Sequence, residues 1–200
     1  MRKDFYNLNP LDIDDNVFKA IGKDWMLITA GNIDHYNTMT ASWGTFGVLW
    51  NLPVAICFIR PQRYTYLFAE RSEYYTLSFF DEKYRDALQF CGSKSGRDYD
   101  KAAETGLEAL STKFGNVSFQ QARLILECKK LYADDLKPGN FIAKEIAART
   151  YPGTDYHRFY IGEIVNVLEG GLCILTLTTC SLLVNWSLIL YFQMWKNENK

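Results

Sequence analysis

Apolar and polar positions alternate along much of the chain with the two-residue period of half-buried strands. Tyr75, Leu77 and Phe79 share one face of the run Tyr74 to Phe80, with Thr76 and Ser78 on the other. Within 117–132, Leu124, Leu126 and Cys128 alternate with Arg123, Ile125 and Glu127, giving one dry face and one mixed face. Trp25 to Ala30 and Thr45 to Trp50 are continuous apolar runs, and Val54 to Ile59 is apolar on both faces, as for a strand buried on both sides. Residues 158–168, RFYIGEIVNVL, read as the last strand of the body. Gly31-Asn32 with Asp34, Asn51 with Pro53, and Arg60-Pro61-Gln62-Arg63 punctuate these runs as turns.

Helical spacing is sparse. Residues 1–13 read as an extended lead-in, after which Asp14 or Asp15 can cap a short helix carrying Val17, Phe18 and Ile21 and stopping near Gly22. Ala103, Leu107 and Leu110 follow the polar stretch GSKSGRDYDK at i, i+4 and i+7, which predicts a helix that Gly106 weakens without ending. Residues 140–149 can form another after Pro138-Gly139, whereas Asn37 to Phe80 is strand-rich. Strands with two helical insertions fit a barrel or an α+β unit better than a βαβ layout, and no GxGxxG fingerprint occurs.

Composition adds limits. With 48 % hydrophobic and 22 % charged residues among 200, the chain can build a real core. A net charge of -1 argues against a nucleic-acid partner. The 16 % aromatic content fits a sheet-rich core first and an aromatic cofactor site second. Five cysteines without a CxxC pair, and two histidines, offer neither a disulfide framework nor a metal site. No apolar run follows Met1-Arg2-Lys3, so the expected location is cytoplasmic. Residues 172–194 carry no charge and are long enough to cross a bilayer. Thr176, Thr178, Thr179, Ser181, Asn185 and Ser187 dilute that run, so membrane anchor, packed extension and appendage foreign to the fold all stay open. The expected division is 1–169 as the functional domain and 170–200 as an apolar extension.

Three stretches carry candidate chemistry. In NTMTASWGTFG, at 37–47, the short side chains of Thr40, Ala41 and Ser42 leave backbone groups reachable for the polar rim of a flat heteroaromatic ring, although a plain turn fits as well. RPQRYTY, at 60–66, sets Arg60 and Arg63 beside the hydroxyls of Tyr64, Thr65 and Tyr66; it suits a phosphate or a solvated turn equally. SGRDYDK places Lys101 in a helix's first turn, where it opposes the dipole unless an anion binds nearby; the alternative is a solvated lysine paired with Asp98.

Taken in order, NTMTASW, RPQRYTY with the strand ending SFF, and CGSKSGRDYDK resemble the flavin reductase-like family, which includes the flavoredoxins; the match runs from about Asp15 to Val167. The resemblance implies a mainly β fold, an antiparallel split β-barrel of Greek-key type with short helical insertions, working as a homodimer. It implies FMN as cofactor, with Asn37, Thr40, Ala41, Ser42 and Trp43 against the ring, and Arg60, Thr65, Ser95 and Lys101 also binding. Arg63 joins Lys101 at the phosphate, and His157 resembles a position close to the cofactor. No side chain is expected to act as a catalytic acid, base or nucleophile. The implied reaction passes hydride from NADH or NADPH to FMN, with a flavin or redox protein as acceptor. A flavoredoxin-type electron carrier without nicotinamide activity, or a non-enzymatic flavin- or haem-binding barrel, are the alternatives.

Overall fold

In the computed structural model the described residues are 4–171, and the expectations for 172–194 lie outside them. Ten strands appear: β1 Asp4–Asn7, β2 Met26–Asn32, β3 His35–Ala41, β4 Gly44–Leu49, β5 Leu52–Ile59, β6 Tyr74–Phe79, β7 Ala109–Ser111, β8 Val117–Phe119, β9 Leu124–Asp135 and β10 Arg158–Gly171. Four α-helices join them: α1 Tyr64–Arg71, α2 Arg85–Ser93, α3 Lys101–Thr105 and α4 Lys144–Thr150. The main sheet runs β3-β2-β6-β9-β10-β5-β4, with β1 added to β10, and β7-β8 form a separate hairpin. The pairings along this path are antiparallel. The fold is therefore mainly β and antiparallel, and the hydrogen-bonded path ends at β3 and β4 without closing among the described residues.

Turn chemistry sets the hairpins. Asn32 accepts hydrogen bonds from the backbone N–H of Asp34 and His35, a side-chain turn that returns β2 into β3. Trp50 and Asn51 both have positive φ, 55° and 60°, between the paired Leu49 and Leu52. That is the left-handed two-residue connection whose twist matches its strands.

The alternation read from the sequence is the sheet's division into two faces. Met26, Ile28, Leu77, Phe79, Leu124, Leu126 and Cys128 share one core with Phe68 and Ala69 of α1. Ile28 and Cys57 lie in this same core although four positions part their strands in the sheet, so the sheet curls around it. Leu27 and Ile125 point the other way, into a second core with Leu88 and Cys91 of α2 and Phe119 of β8. Thr76 and Ser78 are covered there too, bonded to the Val117 carbonyl and the Ser118 hydroxyl.

Several local expectations are corrected. Residues 64–71, inside the strand-rich stretch, are helical, and 85–93 form a helix that the pattern did not reveal. The helix after the polar stretch stops at Thr105, because Gly106 takes φ 66° and caps it; Leu110 belongs to β7. The turn at Phe18–Lys23 starts from Asn16, whose side chain accepts from the Lys19 N–H, while Asp15 pairs with Arg123. Phe18 is 91 % exposed, so Val17 and Ile21 pack inward without it, together with Ala20. Among the described residues no helix is long and apolar enough to cross a membrane.

Candidate functional site

Three crossings deliver the site. The chain leaves β3 at Ala41 and passes through Ser42 and Trp43 to β4, which pairs with β5. It leaves β5 at Ile59 into Arg60, and Arg63 precedes α1, with its N–H on the Arg60 carbonyl at 3.0 Å. Arg158 pairs with Ile59, so His157 meets Arg60 at the same end of β5 and β10. These segments enclose an open cleft of about 200 Å³. Thr40, Ala41, Ser42, Trp43, Arg60, Arg63 and His157 line it, together with Met39 and Phe58, which sequence reasoning missed.

The cleft has an aromatic wall and a cationic wall. Trp43 is 46 % exposed, and its ring centroid lies 4.9 Å from that of buried His157. His157 Nδ1 is hydrogen-bonded to the Tyr151 hydroxyl at 2.8 Å. Burial, aided by nearby Arg60, pushes the His157 imidazole down to about 4, so it is neutral near pH 7. Arg60 is held by the Asp155 carboxylate and donates to the Thr150 carbonyl at 3.1 Å; Gln62 donates to the same carboxylate. Arg63 donates to the Gly92 and Cys91 carbonyls, at 2.7 and 3.4 Å. Those carbonyls end α2, where a cation is favoured by the helix dipole.

Asn37, Thr65, Ser95 and Lys101 stand outside this cleft. Buried Asn37 donates to the hydroxyl of buried Thr65 at 2.7 Å, tying β3 to α1. Lys101 is buried rather than solvated: its Nζ donates to the carbonyls of Thr38 (2.8 Å) and Cys91 (2.9 Å). That burial lowers its ammonium to about 8. Asn37 and Lys101 line an adjoining cavity of about 220 Å³. Ser95 shapes the loop above, its hydroxyl accepting from the Arg97 N–H at 3.2 Å. Gly96 passes so close that an added Cβ would fall 1.8 Å from Asn37 Oδ1. The two cavities are joined through α2, since Arg63 and Lys101 both donate to the Cys91 carbonyl.

β3 is an edge strand, so alternate residues turn their N–H and C=O groups away from β2. The Thr38 carbonyl faces that way and is taken by Lys101, and Thr40 shares its orientation at the cleft. Aromatic surface, outward backbone groups and two guanidiniums suit a flat, polar-edged ring bearing an anionic group.

The class of protein follows from its fold and family. The model of the flavin reductase like domain matches residues 18–172, and the chain belongs to this family. No curated protein matches it closely enough to count as a relative. Among solved structures it resembles an FMN-binding domain of a flavin reductases-like enzyme from Shewanella baltica OS155. That likeness has a TM-score of 0.61 at 14 % identity, covering 84 % of this chain and 78 % of the other. It also resembles flavoredoxin from Methanosarcina acetivorans, with a TM-score of 0.57 at 20 % identity over 78 % and 73 %. A third is the NADH:FAD oxidoreductase SgcE6 of Streptomyces globisporus C-1027, in complex with NAD and FAD fragments, at 0.54 and 15 % over 74 % and 78 %. At these identities the likeness is one of fold.

Proposed function

We propose that the protein is an FMN-dependent oxidoreductase, an NAD(P)H:flavin reductase. The observation that carries this reading is the meeting of Thr40–Trp43, Arg60, Arg63 and His157, from three separated segments, in one open cleft. FMN held in this cleft would supply the redox chemistry, hydride acceptance from a reduced nicotinamide and electron transfer to a flavin or redox-protein acceptor. This chain's residues bind and orient. Thr40, Ala41 and Ser42 offer the polar rim, and Trp43 gives an exposed aromatic surface. Neutral His157, fixed by Tyr151, closes the ring side without adding a charge. Arg63 takes the phosphate. Lys101 and the Asn37–Thr65 pair brace β3 against α1 and α2 behind it.

Arg63→Ala is expected to weaken FMN by about 1.5–3 kcal/mol, the worth of a hydrogen bond to a charged group, and to leave riboflavin binding nearly unchanged. Flavin fluorescence quenching reads both; equal losses for the two flavins would refute the phosphate assignment.

The same reading closes the curled sheet into a split barrel and pairs two chains around the cofactor. Val48 and Trp50, 72 % and 56 % exposed, put apolar surface on and beside the open edge strand β4. Sedimentation equilibrium of the FMN-loaded protein is expected to give a dimer, and a monomer holding FMN tightly would contradict it. A cytoplasmic setting, and a tail boundary near residue 170, complete the proposal.

A further inference from the structure

A second cavity of the described body is larger than the flavin cleft. It measures about 370 Å³ and opens at the turn end of β3, lined on one side by His35 and α1 and on the other by Tyr74 and the β7–β8 hairpin tip. His35 and Ala41 begin and end β3, which separates the two openings by ~20 Å at the rise of a strand. We propose that this cavity is a second ligand site, separate from the flavin cleft, and that it takes a planar aromatic carboxylate.

Its walls are aromatic and opposed. Phe68 of α1 is packed by His35 at 4.7 Å and by Tyr64 at 5.1 Å. Across the opening Tyr74 and Phe114 stack with an interplanar angle of 8° and centroids 5.5 Å apart. Phe114 is 42 % exposed on the hairpin tip, so part of its ring stays open as apolar, π-bearing surface. The tip is fixed. Buried Glu127 accepts from the Thr112 hydroxyl, the Phe114 N–H at 3.1 Å and Asn116 Nδ2 at 2.8 Å. Asn166 holds its other oxygen at 3.1 Å. A wall anchored on a buried carboxylate is pre-organised, as a recognition surface must be to avoid the cost of ordering it.

Charge at the rim selects the ligand. Glu73 is paired with Lys129, and Glu70, the nearest acidic neighbour of Arg71 in the same helix, is taken by Arg158 and Tyr160. Asn32 is committed to its own turn and Asn116 to Glu127. Arg71, exposed in the last turn of α1, has no ion-pair partner among the described residues. Its guanidinium presents the planar fork that binds a carboxylate through two hydrogen bonds. The cavity volume lies in the range of small-molecule sites and suits one or two fused rings.

This site does not depend on the flavin assignment, and its test does not either. The full chain is titrated calorimetrically with 2-naphthoate and with neutral 2-naphthamide, without FMN and again with saturating FMN. The expected result is one naphthoate per chain, with the same affinity in both conditions. Arg71→Gln weakens naphthoate about tenfold and leaves naphthamide unchanged. Leu67→Trp, which fills the mouth from exposed α1 surface, weakens both compounds. The absence of naphthoate binding, equal affinity in the Arg71→Gln protein, or displacement of naphthoate by FMN would overturn the proposal.

Discussion

Glu127→Ala is expected to unfold at a much lower urea concentration, with about 3–5 kcal/mol of stability lost. Glu127 is 1 % exposed and sits beneath the β7–β8 hairpin with no cation beside it among its bonded partners. Its cost of burial is met by four donors: Thr112, the Phe114 N–H, Asn116 and Asn166. Alanine leaves all four in a cavity without an acceptor, and each unsatisfied buried donor costs about 1–3 kcal/mol before water enters. Glu127→Gln keeps one acceptor oxygen and is expected to lose roughly half as much. An alanine variant within about 1 kcal/mol of wild type would show that the carboxylate is not what holds the hairpin.

The second large effect is acid sensitivity traced to His157. The unfolded chain protonates this imidazole at its ordinary 6.5, whereas the folded chain holds it neutral down to about 4. Between these values the unfolded state binds more protons, so stability is full above 6.5 and falls as pH drops towards 4. A depression of that size corresponds to about 2–3 kcal/mol between pH 7 and pH 4.5. Asp155 and Asp134 also have lowered carboxyl values, the first through Gln62 and Arg60 and the second through Lys137, but their losses come lower, in the carboxylate range. His157→Gln keeps a partner for the Tyr151 hydroxyl and is expected to remove most of the decline between pH 6.5 and 4.5. Urea midpoints at the two pH values measure it; an undiminished decline in the variant would place the acid sensitivity elsewhere.

The strands were legible because their signal is local. Tyr75, Leu77 and Phe79 face one core and Thr76 and Ser78 the other layer, as their alternation foretold. α1 was missed because YTYLFAER is rich in residues that favour strands. Its one clue was that Thr65, Phe68 and Ala69, the buried residues, lie at i, i+3 and i+4. α2 buries only Leu88 and Cys91, too few positions for a period to emerge. Gly106 was read by its propensity cost, while its backbone takes the left-handed cap that glycine alone adopts freely.

The site was legible as a set of segments and less so in its wiring. Residues 40–43, 60, 63 and 157 do converge. Nothing local announces that Arg60 pairs with Asp155, 95 positions away, or that Tyr151 fixes His157. Lys101 shows the limit most clearly. By spacing it is a helix-start lysine facing water or an anion, yet tertiary packing buries its ammonium against two carbonyls.

The central claim, that this cleft holds a flavin reduced by nicotinamide, is tested most directly by an anaerobic titration of the FMN-loaded protein with NADH and then NADPH, following the flavin absorption band. Stoichiometric bleaching by at least one of them is the predicted result. A protein that cannot be loaded with FMN would contradict the binding assignment. A loaded protein that neither nicotinamide bleaches would contradict the reductase activity and leave a flavoredoxin-type carrier in its place.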